Sequence, residues 1–388
     1  MIILYAFALP LSRAGIVLLS VLLLVPWAIK AVVTKRILEI FKLPVVKALL
    51  LFLFFNVLSL LWSEHLLSAW DYVLKYWYFL PLVVIATSLE KRYVSVALSA
   101  FVLGMFISEI LSYGVFFEVW QFNKATIENP TPFMHHIEYS VFLAFTALLV
   151  LNHIFNATQL RTKILYSVFF ITVSGNLFLT AGRTGQFAFI VGLFVLALVS
   201  FKNKIKALGI SIILTGVILF VAFSISNTFK ERLIIGSENL VNLVEKRDFC
   251  TSWGGRVGAW ILSKEIILKS PILGEGTTDA MNEFHTLIDK KYPQMRCMHD
   301  SFMHVHNQYL QIFVQLGVIG LLLFIFMFYT IFTLEIKKKE YRNIKYIYLA
   351  VLLFSMIPEV LLHRQFNMAL FAFVIGLLVA QNRIENEI

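Results

Sequence analysis

The sequence predicts an all-α protein, a polytopic bundle of about 12 transmembrane helices with one large loop that contains an amphipathic helix. Of the 388 residues 59% are hydrophobic and 14% are charged, whereas globular proteins average about 45–50% and 25%. Apolar runs of bilayer length recur along the chain, and one long polar stretch, residues 227–306, interrupts them. We therefore predict three segments: N-terminal transmembrane helices over 1–226, a loop domain over 227–306 and C-terminal transmembrane helices over 307–388.

Eleven apolar runs have the length of an ordinary membrane span, about 17–25 residues. They lie near residues 13–33, 44–62, 72–90, 93–117, 137–155, 163–181, 185–201, 207–226, 308–334, 344–362 and 367–382. The opening ten residues, MIILYAFALP, are apolar but short, and we interpret them as a short or tilted first helix. A signal peptide fits them less well, because no basic residues precede the run and no small-residue cleavage site follows it.

The basic residues predict the orientation of the bundle. One side collects 18 of the 33 Lys and Arg, whereas the short loops and helix ends of the other side hold Arg13, Lys75, Lys124, Arg183 and Arg364. By the positive-inside rule the first side is cytoplasmic, and loop 227–306 lies on the outer side. This explains the net charge of +10 without a nucleic-acid partner. The 18 residues are Lys30, Lys35, Arg36, Lys42, Lys47, Lys91, Arg92, Arg161, Lys163, Lys202, Lys204, Lys206, Lys337, Lys338, Lys339, Arg342, Lys345 and Arg383.

Both cysteines of the chain, Cys250 and Cys297, fall in loop 227–306. In a protein of a bacterial inner membrane this outer compartment permits oxidation, so a disulfide between them is one interpretation, and two free thiols are the other. A bridge would stabilise the loop by about 3–4 kcal/mol in the chain-entropy model.

Within the loop, a glycine break and a Pro/Gly stop bound a predicted helix from Arg256 to Lys269. Its apolar residues span an arc of about 120°, which is typical of an amphipathic helix. We predict that this helix lies along the outer membrane surface with Trp260 at headgroup level. The alternative is a helix that packs only on the loop's own core. The residues of the arc are Val257, Trp260, Ile261, Ile267 and Leu268.

Two arginines on the outer side have the sequence context of an anion site. Arg183 is flanked by Gly182 and Gly185, which would let a ligand approach, and it begins a helix whose free N–H groups attract negative charge. Arg256 follows the glycines of SWGG. Together they could bind a diphosphate bidentately. A plain interfacial anchor is the alternative for either residue. We expect no metal, because the spacing of His299, His304 and His306 differs from zinc motifs.

The stretch HVHNQYLQIFVQLGVIG, residues 304–320, places His306 and Asn307 at a junction between loop and helix. An interfacial histidine followed by an Asn cap is the simpler interpretation. Gly317 and Gly320 would share a helix face that lets another helix pack closely. A histidine at the rim of such a bundle, with a pKa near 6.5, is suited to accept a proton from a hydroxyl at neutral pH.

The order of these motifs resembles the O-antigen ligase and polymerase superfamily of bacterial envelope assembly. The shared features are TAGRTG at 180–185, Arg256 and Trp260, SPILGEG at 270–276, the pattern from His306-Asn307 to Gly317 and Gly320, and the long outer loop late in the chain. The resemblance implies an inverting glycosyltransferase that needs no metal or other cofactor. Its donor would be a glycan on undecaprenyl diphosphate, and in the ligase branch its acceptor would be a sugar hydroxyl of lipid A core.

The resemblance also implies roles for individual residues. Arg183 and Arg256 would bind the diphosphate, and His306 would be the general base on the acceptor hydroxyl. His304, Asn307 and Arg364 could support the site, although a salt bridge to Glu359 at a helix end also explains Arg364.

Three other functions remain open at the sequence level. A polymerase of the same superfamily would join repeat units on undecaprenyl diphosphate, but such proteins more often carry two sizeable outer loops. A transporter or flippase of the lipid-linked glycan would predict inverted repeats, and none is evident. A membrane scaffold offers no reason for Arg183, Arg256 and His306 to gather on one side.

Overall fold

A computed structural model describes residues 1–33, 40–122 and 125–386 and shows an all-α protein. Lys35, Arg36 and Lys124, which the charge pattern assigned to the two sides, lie outside these ranges. The described residues form sixteen α-helices and no named strand. The helices, α1 to α16 in chain order, are Ile2–Ala8, Arg13–Val33, Pro44–Leu58, Leu66–Leu74, Pro81–Ser88, Lys91–Phe116, His136–Asn156, Leu160–Leu179, Arg183–Ser200, Lys204–Ile225, Asn227–Lys246, Ser252–Lys269, Asp279–Lys290, Gln308–Phe332, Lys339–Ser355 and Gln365–Asn386.

The predicted fold class, a polytopic helical membrane protein, is confirmed. Within the described ranges, nine helices are long and apolar enough to cross a membrane, and each coincides with a predicted span. The other three predicted spans are helical but shorter or broken. The first residues form the seven-residue α1, and the 72–90 run divides into α4, a 3-10 turn and α5. Of the 344–362 run, residues 344–355 belong to the 17-residue α15, and residues 356–362 lie in the turn after it.

Contacts between helix ends sort the bundle into two sides. On one side the end of α7 meets the start of α15, where His153 Nδ1 lies 3.0 Å from Glu340 Oε1, and Lys339 Nζ donates to the Ser200 carbonyl. On the other side the first residue of α14, Gln308, donates its N–H to the Met356 carbonyl that follows α15. Loop 227–306 lies on this second side, which we call the loop side.

The helices differ in how deeply they sit in the bundle. In the most apolar 18-residue stretches of α7 and α16, 78% and 83% of the residues are buried, so these helices form the centre of the bundle. In α10 the share is 11%, which places this helix at the periphery, where apolar side chains face the surroundings. In a membrane protein the apolar side chains of such a peripheral helix contact lipid rather than other helices.

Loop 227–306 folds as three helices, α11 to α13, with a hydrophobic core of its own. A disulfide joins Cys250 to Cys297, with the two Cα atoms 5.7 Å apart, and ties the start of α12 to the 3-10 turn Pro293–Met298. The core is separate from that of the transmembrane bundle. Its buried members are Phe249, Ala259, Leu262, Ile266, Ala280, Phe284, Ile288, Met295, Met298, Val305 and Val314.

The predicted helix at 256–269 lies within α12; Trp260 and Ile267 of the predicted arc pack on the loop core, and the position of the arc at the membrane surface stays a prediction. Ala259, Leu262 and Ile266 are buried in the loop core, whereas Ile261 and Leu268 of the arc are exposed. The exposed residues Ile261 and Leu268 are the part of the arc that the predicted membrane contact would bury, and the buried residues form the face toward the loop core. The alternative, a helix packed on the loop's own core, describes this face.

Gly317, one of the two glycines predicted to share a packing face, has a different role from the predicted one. Gly317 breaks α14 with φ +64°, and a Cβ there would collide with the Ile272 carbonyl oxygen. The segment from Pro271 to Gly276 crosses at this kink, where Glu275 and Gly276 donate their N–H groups to the carbonyls of Val314 and Gln315. Gly317 therefore admits a loop segment rather than a second helix, and it anchors the loop domain to α14.

Candidate functional site

A buried carboxylate on the loop side gathers four basic side chains around it. Glu359, in the turn between α15 and α16, is fully buried. Its Oε1 lies 3.2 Å from an Arg364 nitrogen and 3.3 Å from His304 Nε2. Its Oε2 lies 3.5 Å from His306 Nδ1 and 4.0 Å from an Arg256 nitrogen. We call these five residues the carboxylate cluster.

His306 reaches this cluster through an unusual backbone conformation. Its φ is +50°, in the left-handed region that non-glycine residues seldom adopt. Directly after it, the Asn307 side chain caps α14 by accepting the N–H groups of Tyr309 and Leu310. The turn is therefore held by the cap, and it aims the half-buried imidazole back toward Glu359. Asn307 therefore supports the site by fixing the backbone, and the predicted Asn cap is confirmed.

Arg256 is fixed to the same turn by its own hydrogen bonds. Its Nε donates to the Pro358 carbonyl at 3.0 Å, and a terminal nitrogen donates to the Ser252 carbonyl one turn earlier in α12. Burial lowers the pKa of the guanidinium, and Glu359 opposes that shift. Arg256 thus bridges the loop domain and the turn that holds Glu359.

Arg183 lies next to this cluster, across a shared cavity. One terminal nitrogen donates to the Ser252 hydroxyl at 2.7 Å, and the guanidinium sits over the ring of Trp253. The other terminal nitrogen is buried and has no hydrogen-bond partner among the described residues. A cavity of about 270 Å³, which we call the arginine cavity, has both Arg183 and Arg256 in its lining, with Trp253, Trp260, Phe187 and Phe354.

The glycines beside the two arginines serve packing, which corrects the reason that the sequence suggested for them. A Cβ on Gly182 or Gly185 would collide with Ser140 of α7, and a Cβ on Gly255 would press on the Phe302 ring. The Gly185 N–H also donates to the Ser140 hydroxyl, so this donor at the start of α9 is already occupied. These glycines let helices approach each other and so position the arginines, rather than opening a path for a ligand.

The charges of the carboxylate cluster are strongly coupled. Burial alone would raise the pKa of the Glu359 carboxyl, but the His306 contact and the neighbouring His304, His306 and Arg364 outweigh it and hold the pKa well below its usual range. Burial lowers the pKa of His304 to about 4, against the opposing charge of Glu359. At neutral pH Glu359 is therefore ionised and His304 is neutral.

Glu359 is the functional residue that the sequence analysis underrated. It was considered only as a partner of Arg364, whereas the structure puts it in contact with three further residues of the site. A signal was present, because a carboxylate within the apolar stretch SMIPEVLL is costly to bury and marks a functional candidate at a membrane boundary. Arg364 and His304, named as possible support, both lie in the cluster.

The cluster also contains a set of atoms that could hold a metal ion. One nitrogen each of His304 and His306 and one oxygen of Glu359 lie within 4.8 Å of one another. Two guanidinium groups contact the same carboxylate, however, and their charge opposes a divalent cation at that point. The position of Glu359 therefore suits ion pairs with the two arginines better than coordination of a metal ion.

Comparison with known proteins finds a family similarity for part of the chain. Residues 168–325 match the family model described as O-Antigen ligase, a range that includes Arg183, Arg256 and His306. The chain is also similar to a protein of Haemophilus influenzae strain Rd named "Uncharacterized protein", with 26% identity over 224 residues. That alignment covers 56% of this chain and 55% of the relative, so the chain spans about half the relative's length.

Proposed function

We propose that this chain, which through residues 168–325 belongs to the O-antigen ligase and polymerase superfamily, is a glycosyltransferase of the ligase type. It would move a glycan from undecaprenyl diphosphate to a sugar hydroxyl of lipid A core, on the periplasmic face of the bacterial inner membrane. One observation carries the proposal. Two arginines line one cavity, and beside it a histidine is backed by a fully buried carboxylate.

The arginine cavity supplies the chemistry that a diphosphate leaving group needs. Guanidinium groups bind phosphate oxygens bidentately and keep their charge in a partly buried site. The buried, unpartnered nitrogen of Arg183 is a donor without an acceptor, and a diphosphate oxygen would satisfy it. Arg183 and Arg256 would therefore stabilise the charge that develops as the glycosyl bond to the diphosphate breaks.

His306 supplies the base for the acceptor. A proton on Nδ1, facing Glu359, leaves the Nε2 lone pair free to accept the hydroxyl proton. The acceptor oxygen then forms the new bond to the anomeric carbon, and undecaprenyl diphosphate leaves with the bonding electron pair. A single displacement of this kind inverts the anomeric configuration and needs no metal, because Arg183 and Arg256 neutralise the leaving group.

The ligase and the polymerase of the superfamily differ in the acceptor, not in this chemistry. The ligase is favoured because the chain has one large loop on the loop side, and the segment between α6 and α7 on that side is short. Deletion of the gene separates the two. Loss of long glycan from lipid A, with lipid-linked polymer accumulating, supports the ligase, whereas a core that bears a single repeat unit refutes it in favour of the polymerase.

The base is tested by His306→Asn in purified protein reconstituted with donor and acceptor. Asn tolerates the positive φ at this position, so the turn should keep its shape while the proton acceptor is lost. We expect transfer to fall by at least about 100-fold. His299→Ala is the matched control, because this loop histidine contacts Asp289 and Asp300 instead of Glu359. Retained transfer in His306→Asn would end the general-base assignment, and inhibition by EDTA would end the metal-free one.

A further inference from the structure

An apolar cleft opens beside the arginine cavity and shares Arg183 and Phe187 with it. The cleft has a volume of about 300 Å³ and lies between α9 and α10, with the start of α11 over it. Two arginines, Arg183 and Arg232, are its charged lining residues. Its other walls are Phe178, Gln186, Phe187, Ile190, Leu219, Phe223, Phe229 and Leu233.

The cleft descends from the loop side into the membrane-spanning part of the bundle. Arg183 begins α9, and Ile190 lies seven residues further, about 10 Å deeper along the helix. Leu219 lies six residues before the end of α10, about 9 Å below its loop-side end. The charged residues therefore sit at the mouth, and the walls below them are aromatic and aliphatic. This arrangement fits an amphiphile with an anionic head and a hydrocarbon tail.

Arg232 is held on the same face of α11 as the contact with Arg183. Gly236, four residues on, lies against Arg183, because a Cβ there would stand 3.3 Å from a terminal nitrogen of that arginine. Residues four apart share a helix face, so Arg232 lies one turn from this contact. Among the described residues Arg232 forms no ion pair with a carboxylate.

The arginines at the mouth are therefore short of negative charge. Within the described ranges, Arg183 likewise has no carboxylate within salt-bridge distance, and only Arg256 faces one, Glu359 at 4.0 Å. Like charges gathered at one mouth repel each other unless an anion binds between them. The negative charge of a diphosphate, which increases when the glycosyl bond breaks, would offset this repulsion.

We propose that Arg232 is a third cation of the diphosphate site and that the cleft binds the first part of the donor's hydrocarbon chain. The inference rests on the proposed function, since it takes the lipid diphosphate donor as the ligand. Arg183 would stand between the two parts of the ligand, with the diphosphate toward the arginine cavity and the chain toward Ile190 and Phe223.

Binding of three probes to the purified full-length protein separates the head from the tail. The probes are farnesyl diphosphate, inorganic pyrophosphate and farnesol, measured by calorimetry at fixed ionic strength. We expect the wild type to bind farnesyl diphosphate more tightly than either part alone. Equal affinity for farnesyl diphosphate and pyrophosphate would overturn the assignment of the cleft.

Two variants then assign the residues. Arg232→Ala should weaken both diphosphate probes about tenfold, as the loss of one charged hydrogen-bonding group predicts, and should leave farnesol unchanged. Lys246→Ala is the matched control, because this exposed cation lies on the same helix about 21 Å away. Affinities in Arg232→Ala equal to those of the control would overturn the role of Arg232.

Ile190→Trp fills the cleft and should weaken farnesyl diphosphate but not pyrophosphate. Unchanged pyrophosphate binding also shows that the variant is folded, and Ile190→Phe is the milder replacement if it is not. Unchanged affinity for farnesyl diphosphate in a folded variant would refute the tail site. These readouts do not depend on transfer. If the purified wild-type protein transferred no glycan from donor to acceptor while the probe results held, the proposed function would fail and the lipid diphosphate site would stand.

Discussion

Replacement of Glu359 by Gln tests the centre of the site. The amide keeps the shape of the side chain but removes the charge that Arg256, Arg364 and the two histidines face. Glu359 is fully buried, whereas the Arg256 and Arg364 side chains keep 17% and 25% of their exposure. Removing one partner of a buried pair costs about 3–5 kcal/mol, and partial exposure of the two arginines places this change near the lower value.

The effect on transfer has a separate origin. Without the carboxylate, the His306 imidazole loses the group that faces Nδ1 and favours the proton there. In serine proteases a comparable replacement lowers kcat about 10⁴-fold. The His306 to Glu359 contact is 3.5 Å, longer than a strong hydrogen bond, so we expect a smaller loss of about 100-fold, or about 2.7 kcal/mol.

Initial rates of glycan transfer and thermal unfolding are both measured for Glu359→Gln, Arg364→Gln and the double variant. The double variant removes one positive and one negative charge, so its stability should recover part of the loss. Its transfer rate should stay low, because His306 still lacks its carboxylate. Recovery of the transfer rate in the double variant would show that Glu359 serves only to balance the charge of Arg364. A Glu359→Gln protein with wild-type rate and stability would refute both expected effects.

Two further predictions concern the framework of the loop domain. Cys250→Ser with Cys297→Ser should lower the stability of the loop domain by about 3–4 kcal/mol; reductant should shift thermal unfolding of the wild type to match the double variant, and an unshifted wild type would contradict this. Gly317→Ala should cost at least about 1–3 kcal/mol, because φ +64° with ψ −166° suits glycine and the Ile272 carbonyl blocks a Cβ. Gly209→Ala is its control, since a Cβ there meets nothing within 4 Å, and equal thermal stability of the two variants would count against the kink.

Residue type and position along the chain were enough to find part of the site. Arg183, Arg256 and His306 are ionisable groups at the ends of apolar runs, where burial is costly, so each stood out locally. The alternation of predicted spans put all three on one side of the bundle, which is the loop side of the structure. The structure brings Arg183 and Arg256 to one cavity and His306 to the adjacent carboxylate.

The remaining part depends on contacts between residues far apart in the chain. Glu359 meets Arg256 only because the turn after α15 lies over the start of α12, and no local pattern predicts that approach. The roles predicted for Gly185 and Gly317 were wrong for the same reason. A glycine in a sequence shows that space is short, but whether a ligand, a helix or a loop takes the space is decided by the tertiary fold, as Gly185 and Gly317 show.

The position of Glu359 makes the two ends of the site different in charge. Glu359 contacts Arg364 at one end and faces Arg256, which lines the arginine cavity with Arg183, at 4.0 Å; Arg183 and Arg232 have no carboxylate within salt-bridge distance in the described part of the chain. A displacement with inversion requires the leaving group and the nucleophile on opposite faces of the sugar ring. The leaving diphosphate needs positive charge, and the base needs a carboxylate behind its imidazole. Because one end of the site is cationic and the other holds the buried carboxylate, we infer that the donor's sugar lies between Arg183 and His306, with its diphosphate toward Arg183.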